Sequence, residues 1–523
     1  MLKDQKIIIG QTDDGSRIVM EPSMANRHGI IAGATGSGKT VSLKVLAEAF
    51  SSLGVPVFVS DVKGDLAGMS AAGTMTDNVK NRLNDFGIED FSFEAYPVIF
   101  WDVYGKNGIP LRTTISEMGP MLLARIMNLT NVQSDVLSVI FKIADDENLL
   151  LIDTKDLKSM IAYVSEKSKE LESSYGKLSG QSLAAITRSV VALEAEGGET
   201  FFGEPALSVN DWFTTDSSSR GMMHILDASA LIGAPRLYAT FLLWLLSELF
   251  ETLPEVGDME KPKMVFFFDE AHLLFHDAPK VLVEKIEQVV KLVRSKGVGI
   301  YFCTQNPADI PGGVLSQLGN KIEHALHAYT PAEQKGVKTI AQAYPVNPDF
   351  DTYEAIQSLG TGEAVVSLLG ADGIPQKASK VKIYPPQSSM SAIEDSQRAS
   401  LIKSSVLYSK YQNAYDPDSA YEFLQRRGAD IEKQKEEERM AREEEKESQK
   451  QQQAAQKAKD QEEKRQDRIK KQAVKSVGNT VAGTVGRQIG KQVTKNMGTF
   501  GKQLGGNVGA SIGRGILSTL LKM

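Results

Sequence analysis

One cysteine, Cys303, stands in 523 residues. A lone thiol excludes an internal disulfide framework and any multi-cysteine metal site. Long apolar runs are missing too: nothing approaches the ~18 consecutive apolar residues of a membrane-spanning helix. The most apolar stretch, "YATFLLWLLSELF" (238–250), is short enough to be a buried helix. The six histidines lack metal-ligand spacing, and His272 and His276, four apart, lack the glutamate arrangement of a zinc-protease helix. The N-terminal "MLKDQKIIIGQTDDG" carries charges where a signal peptide needs its apolar region, so the expected compartment is the cytoplasm. Nor is the chain basic. Its net charge is −7, made of −15 over residues 1–430, zero over 431–470 and +8 over 471–523. An acidic body argues against a broadly DNA-coating surface, while leaving room for a locally basic channel inside an oligomer.

What is present is an α/β rhythm. With 41% hydrophobic and 24% charged residues, the composition is that of a globular protein. Eight short apolar runs predict strands: 29–33, 56–61, 97–102, 222–228, 264–270, 299–305, 322–329 and 362–369. Their continuous apolar character suits a mostly parallel sheet buried on both faces. Between them, "ISEMGPMLLARIMNL", "QSDVLSVIFKIADDE", "KDLKSMIAYVSEKS" and "SLAAITRSVVALEAE" are helical in period with no strand between. They predict an all-helical insertion over 113–200 dividing a core of 1–112 and 201–385. "YPPQSSMSAIEDS" (384–396) has the composition of a linker, opening a segment of linker and short helices over 386–430. Residues 431–470 are rich in helix formers without an apolar seam, so a solvated single helix or disordered spacer is expected rather than a coiled coil. In the basic tail, 471–523, Leu504, Val508, Ile512, Ile516 and Leu520 recur every four residues beside Gly501, Gly505, Gly509 and Gly513, after Gly486 and Gly490. On a helix this is a glycine groove beside an apolar stripe.

"NRHGIIAGATGSGKT" (26–40) carries the clearest chemistry. Gly33, Ala34, Thr35, Gly36, Ser37, Gly38, Lys39 and Thr40 fit the phosphate-loop pattern between an apolar strand and a helix that begins at Val41. Backbone N–H groups would cradle phosphate, Lys39 would reach the β/γ-phosphates and the Thr40 hydroxyl would ligate Mg²⁺. "KMVFFFDEAHLLF" supplies the acidic partner, with Asp269 holding the metal and Glu270 polarising water as general base. Gln305, ending "VGIYFCTQ", either senses the γ-phosphate or caps the turn before Pro307. Asp61 in "FVSDVKGDL" either reaches the site or caps the next turn.

With "NRHGIIAGATGSGKT", "SDVKGDLAG", "VFFFDEAHLLF" and "RSKGVGIYFCTQNPADIP" in this order along the chain, it resembles the FtsK/HerA superfamily of P-loop motors, and more closely the bacterial YjgR-type HerA-like proteins. The resemblance covers roughly residues 5–385. It implies a RecA-like ATPase core using ATP and Mg²⁺, assembled as a homo-oligomeric ring, usually a hexamer, with nucleotide between subunits. HerA-type motors translocate duplex DNA with a nuclease. The family pattern places an arginine finger on Arg294 of "KLVRSKGVG" and a second arginine on Arg27, whereas Arg294 read by itself is an ordinary helix-end cation. HerA proteins usually carry an N-terminal β-barrel, and the 28 residues before the first core strand cannot hold one.

Two functions follow as expectations. One is a DNA-translocating or DNA-remodelling ring ATPase. The other is an ATP-driven switch or scaffold that recruits a protein partner, or makes weak peripheral membrane contact, through the basic tail.

Overall fold

The computed structural model describes residues 2–257, 259–275 and 280–476, and the glycine stripe read in the tail lies outside them. Thirteen strands form one sheet: β1 (Leu2–Lys3), β2 (Lys6–Gln11), β3 (Arg17–Met20), β4 (Gly29–Ala32), β5 (Val57–Asp61), β6 (Val98–Asp102), β7 (Ile109–Pro110), β8 (Met223–Asp227), β9 (Met264–Phe268), β10 (Val298–Thr304), β11 (Asn320–His324), β12 (Glu363–Ser367) and β13 (Ser379–Ile383). Their order is β1-β2-β13-β12-β11-β4-β10-β9-β5-β8-β6-β7, with β3 on β2. From β11 to β7 every pairing is parallel; β1, β2, β3, β12 and β13 add an antiparallel flank. This is a mixed, mostly parallel α/β sheet with a helical insertion.

Successive side chains leave a strand on opposite faces, and both faces are covered. Met264, Phe266 and Phe268 of β9 join one apolar cluster, while Val265 and Phe267 join the other. On the first face lie the insertion helices Ile115–Ile126, Asn131–Asp146, Thr154–Glu166 and Gly180–Leu193. The apolar run at 238–250 is there too, inside the helix Pro235–Thr252, with Phe241, Trp244 and Leu245 at most 2% exposed. Across the sheet lies the helix Lys39–Ser52.

The eight predicted strands are all present, and five more accompany them. The strand expected over 322–329 runs instead over Asn320–His324, because the Ala325 carbonyl turns to accept the Ala34 amide at 2.8 Å. Residues ahead of β4 are part of the sheet: β2 and β3 form a hairpin through a turn with Gly15 at φ +87°, and Lys382 of β13 pairs with Gln11. The Pro/Ser stretch at 384–396 is irregular as far as Glu394, where the helix Asp395–Ser404 begins, but it is stitched down. Glu48, buried on the helix Lys39–Ser52, accepts the amides of Gln387 at 2.8 Å and Ser388 at 3.1 Å. Farther on, Arg398 pairs with Asp227 at 3.2 Å and Arg112 donates to the Tyr411 carbonyl at 2.9 Å.

Residues 430–476 form a separate unit, the greater part of the helix Ala420–Ser476. Through residue 469 nearly every side chain there is exposed, including Met440 and Ile469. Of the two expectations for 431–470, the solvated single helix is the one observed. Among the described residues, no helix is long and apolar enough to cross a membrane.

Candidate nucleotide site

Register assembles the site. β10 lies between β4 and β9, with Thr304 level with Ala32 and Phe302 level with Phe268, while Ser60 of β5 faces Phe268 and Glu323 of β11 faces Ala32. One residue further along each parallel strand, Gly33, Gln305, Asp269, Asp61 and His324 therefore emerge at the same end of the sheet. In such sheets ligands bind outside the carboxyl ends of the strands, where successive connections diverge.

The loop after β4 needs its glycines. Gly33 has φ +144° and Gly38 φ +116°, values that L side chains rarely adopt. A Cβ on Gly33 would also lie 2.5 Å from His324 Cβ, and one on Gly38 would lie 3.1 Å from Gly362 Cα. The helix Lys39–Ser52 starts from Gly38 with no side-chain cap, so its first N–H groups face the loop as an anion cradle. Lys39 is buried and donates to the carbonyls of Gly33 at 2.7 Å and Ala34 at 3.0 Å. Burial lowers its pKa against the opposing pull of Glu270. Thr40 and Val41 follow on the first helical turn.

Below the loop sits His324, which the sequence did not single out. Its ring accepts from the Ser42 hydroxyl at Nε2, 2.8 Å, and donates from Nδ1 to the Glu363 carbonyl, 2.8 Å. Burial pushes its pKa down to about 4, so it stays neutral and props the loop as a fixed hydrogen-bonding wedge.

Asp269 and Glu270 follow β9, 6% and 4% exposed. Burial, then the neighbouring Glu270, raises the Asp269 pKa to about 7. Glu270 differs. Burial pushes it up, but an ion pair with Lys63, with His272 and Lys39 nearby, outweighs that and holds it below its ordinary value. Lys63 belongs to the "SDVKGDL" loop after β5 and was missed in the sequence, because only the β5–β9 pairing brings it there. Gln305 approaches the same carboxylate through Nε2 at 3.3 and 3.4 Å, and His272 Nδ1 lies 3.3 Å from Oε2. The backbone of Glu270 is left-handed, φ +48°, a conformation costing on the order of 1–3 kcal/mol in a non-glycine residue and concentrated at functional sites.

The other expected residues lie apart. Asp61 reaches the right end of the sheet, but its oxygens accept the amides of Gly64 at 2.7 Å, Leu66 at 3.1 Å and Ala67 at 3.2 Å. Of the two roles open to it, these bonds are those of the turn cap. Arg27 precedes β4 and Arg294 precedes β10, so both sit at the opposite strand ends, with roughly 13 Å of strand between Arg27 and the loop and about 23 Å of strand beyond Arg294. Asn26, next to Arg27, donates through Nδ2 to the Arg294 carbonyl at 3.4 Å, buried His28 bridges from the Val290 carbonyl, 2.8 Å, to the Ile300 amide, 3.0 Å, and the Arg27 guanidinium lies beside Gly373. His276 lies outside the described residues.

A family model, the helicase HerA-like C-terminal family, matches residues 6–506. The chain belongs to that family. It is also 32% identical over 120 residues to a protein named "Probable helicase MJECL08" from Methanocaldococcus jannaschii, a match covering 22% of this chain and only 21% of that relative. Among solved structures, the plasmid coupling protein TrwB in complex with the non-hydrolysable ATP analogue ADPNP aligns at TM-score 0.51 and 14% identity, over 76% of this chain and 92% of that one. TrwB in complex with ADP and Mg²⁺ aligns at TM-score 0.47 and 16% identity, over 74% and 92%. The likeness to TrwB with the ATP analogue is one of fold.

Proposed function

We propose that this HerA-like protein hydrolyses ATP as a ring motor, most closely of the YjgR type, and that the ring translocates or remodels DNA. The observation that carries the reading is the register, which gathers a phosphate loop, an acidic pair and a polar strand tip at one sheet end while two arginines lie at the other. An arginine there cannot serve its own subunit's nucleotide, and suits a neighbour's in a closed head-to-tail ring.

In this mechanism the loop N–H groups and Lys39 bind and orient the triphosphate. Mg²⁺ fits the donor set: Thr40 offers a hydroxyl and Asp269 a buried carboxylate at the same end of the sheet. Among the described residues no group of three or more His, Cys, Asp or Glu could hold a metal alone. When bound, the ion would neutralise charge on the β- and γ-phosphates. Glu270, held ionised by Lys63, accepts the proton of the attacking water, and Gln305 orients that water against it. Arg294, donated by the adjacent subunit with Arg27 from the same sheet end, stabilises charge on the transferring phosphoryl group.

The test is ATP hydrolysis with and without duplex DNA across a salt series. Stimulation by DNA that fades as salt rises is the expected result; hydrolysis indifferent to DNA, with no salt-sensitive DNA binding, would remove DNA from the account.

A further inference from the structure

We propose that the cleft flanking the phosphate loop on its β12 side is the nucleoside pocket of this chain, taking a purine base between apolar walls. The inference rests on the ATP-binding reading above and adds where the base goes and what recognises it. The argument is directional. Asp269, Glu270 and Gln305 follow β9 and β10, on one side of β4, so the γ-phosphate end of a bound triphosphate points that way. The sugar and base must leave toward the other side, across β11 and β12. There the Gly362 amide donates to the Ser37 carbonyl at 2.9 Å, so the start of β12 is fastened to the phosphate loop itself.

Beside that fastening opens a cleft of about 620 Å³, within the range of roughly 300–1,000 Å³ typical of small-ligand sites. Val41, Tyr384 and Met390 supply apolar surface, and Asn78, Asn81 and Arg82 of the helix Asp77–Asp85 supply polar groups. The Tyr384 ring is held by a T-shaped contact with Phe86, centroids 4.5 Å apart, and Met390 is 54% exposed. Arg82 is fixed by donating to the Thr361 carbonyl at 2.9 Å. The Tyr384 ring with Val41 and Met390 suits the face of a base, and two amides with a guanidinium suit its hydrogen-bonding edge.

Two probes separate this proposal from the reading beneath it. Asn78→Trp and Arg82→Ala/Met390→Ala alter exposed or half-buried positions and leave the phosphate loop intact. Equilibrium titration with Mg-ATP should weaken at least tenfold in these variants, while inorganic tripolyphosphate binds as it does to the unaltered chain. ATP affinity unchanged in both variants would overturn the pocket and leave ATP binding standing; an unaltered chain that binds neither ligand would overturn both. Photolabelling of the full chain with 8-azido-ATP should place the label within residues 78–85 or 384–390. Label found instead around the separate apolar cleft formed by Pro307, Ile340 and Tyr344 would also overturn it.

Discussion

Replacing Lys63 with methionine should move the pH dependence of hydrolysis without removing hydrolysis. Glu270 is 4% exposed, and burial alone would push its pKa up. The Lys63 ion pair is the first of the influences that pull it down. Two unit charges about 4 Å apart interact by ~4 kcal/mol at an effective dielectric of 20. The Lys63 side chain, however, is 46% exposed, and solvent screening reduces such a pair to roughly 1 kcal/mol. At 1.36 kcal/mol per pH unit, that displaces the acid limb of the rate profile by on the order of one unit. The sign follows from the chemistry: Glu270 acts ionised, so the rate falls as pH drops through its pKa, and losing Lys63 moves that fall to higher pH. The assay is kcat/KM for ATP from pH 3.5 to 9, which starts low enough to include the fall of a base held below the ordinary glutamate range. Near pH 8 the variant should stay within about threefold of the unaltered chain, because both carboxylates are ionised there. An acid limb that does not move would refute the assignment of Lys63 as the group that keeps the base charged.

Glu270→Gln should retain ATP binding while turnover falls by about 10²–10⁴, checked by nucleotide titration alongside phosphate release. Gly33→Ala should abolish nucleotide binding with little change in secondary structure, since a Cβ there meets His324 at 2.5 Å on a backbone of φ +144°; binding measured beside far-UV circular dichroism decides it. Glu48→Ala should cost about 2–4 kcal/mol, read as a lowered Tm, because the amides of Gln387 and Ser388 lose a shared buried acceptor.

The central strands were legible because strands buried on both faces read as unbroken apolar runs, as in "MVFFFDE" and "GIYFCTQ". The insertion helices were legible by period. The N-terminal hairpin was not, although "TDDGS" is a turn signal, because β2 is placed by pairing with β13 some 370 residues on, and "SKVKI" alternates lysine with small and apolar residues. Lys44 and Glu48, i and i+4 on the phosphate-loop helix, look like a solvated pair, yet both are fully buried under the 384–391 segment: Lys44 donates to the carbonyls of Asp65 at 2.9 Å and Ser389 at 2.7 Å. The phosphate loop and acidic pair were legible because their chemistry is local. Lys63, His28 and His324 were not, since each acts only through the register that sets it against a partner distant in sequence.

The claim that each hydrolysis site is completed by a neighbour's arginine is tested most directly by mixing two inactive variants, Arg294→Ala and Glu270→Gln. An Arg294→Ala subunit keeps its phosphate loop and base, and a Glu270→Gln subunit still offers Arg294. With random assembly, about one interface in four is complete, so the equimolar mixture should recover roughly a quarter of the unaltered rate. A mixture no more active than its components, with both variants binding ATP and co-assembling, would contradict the account.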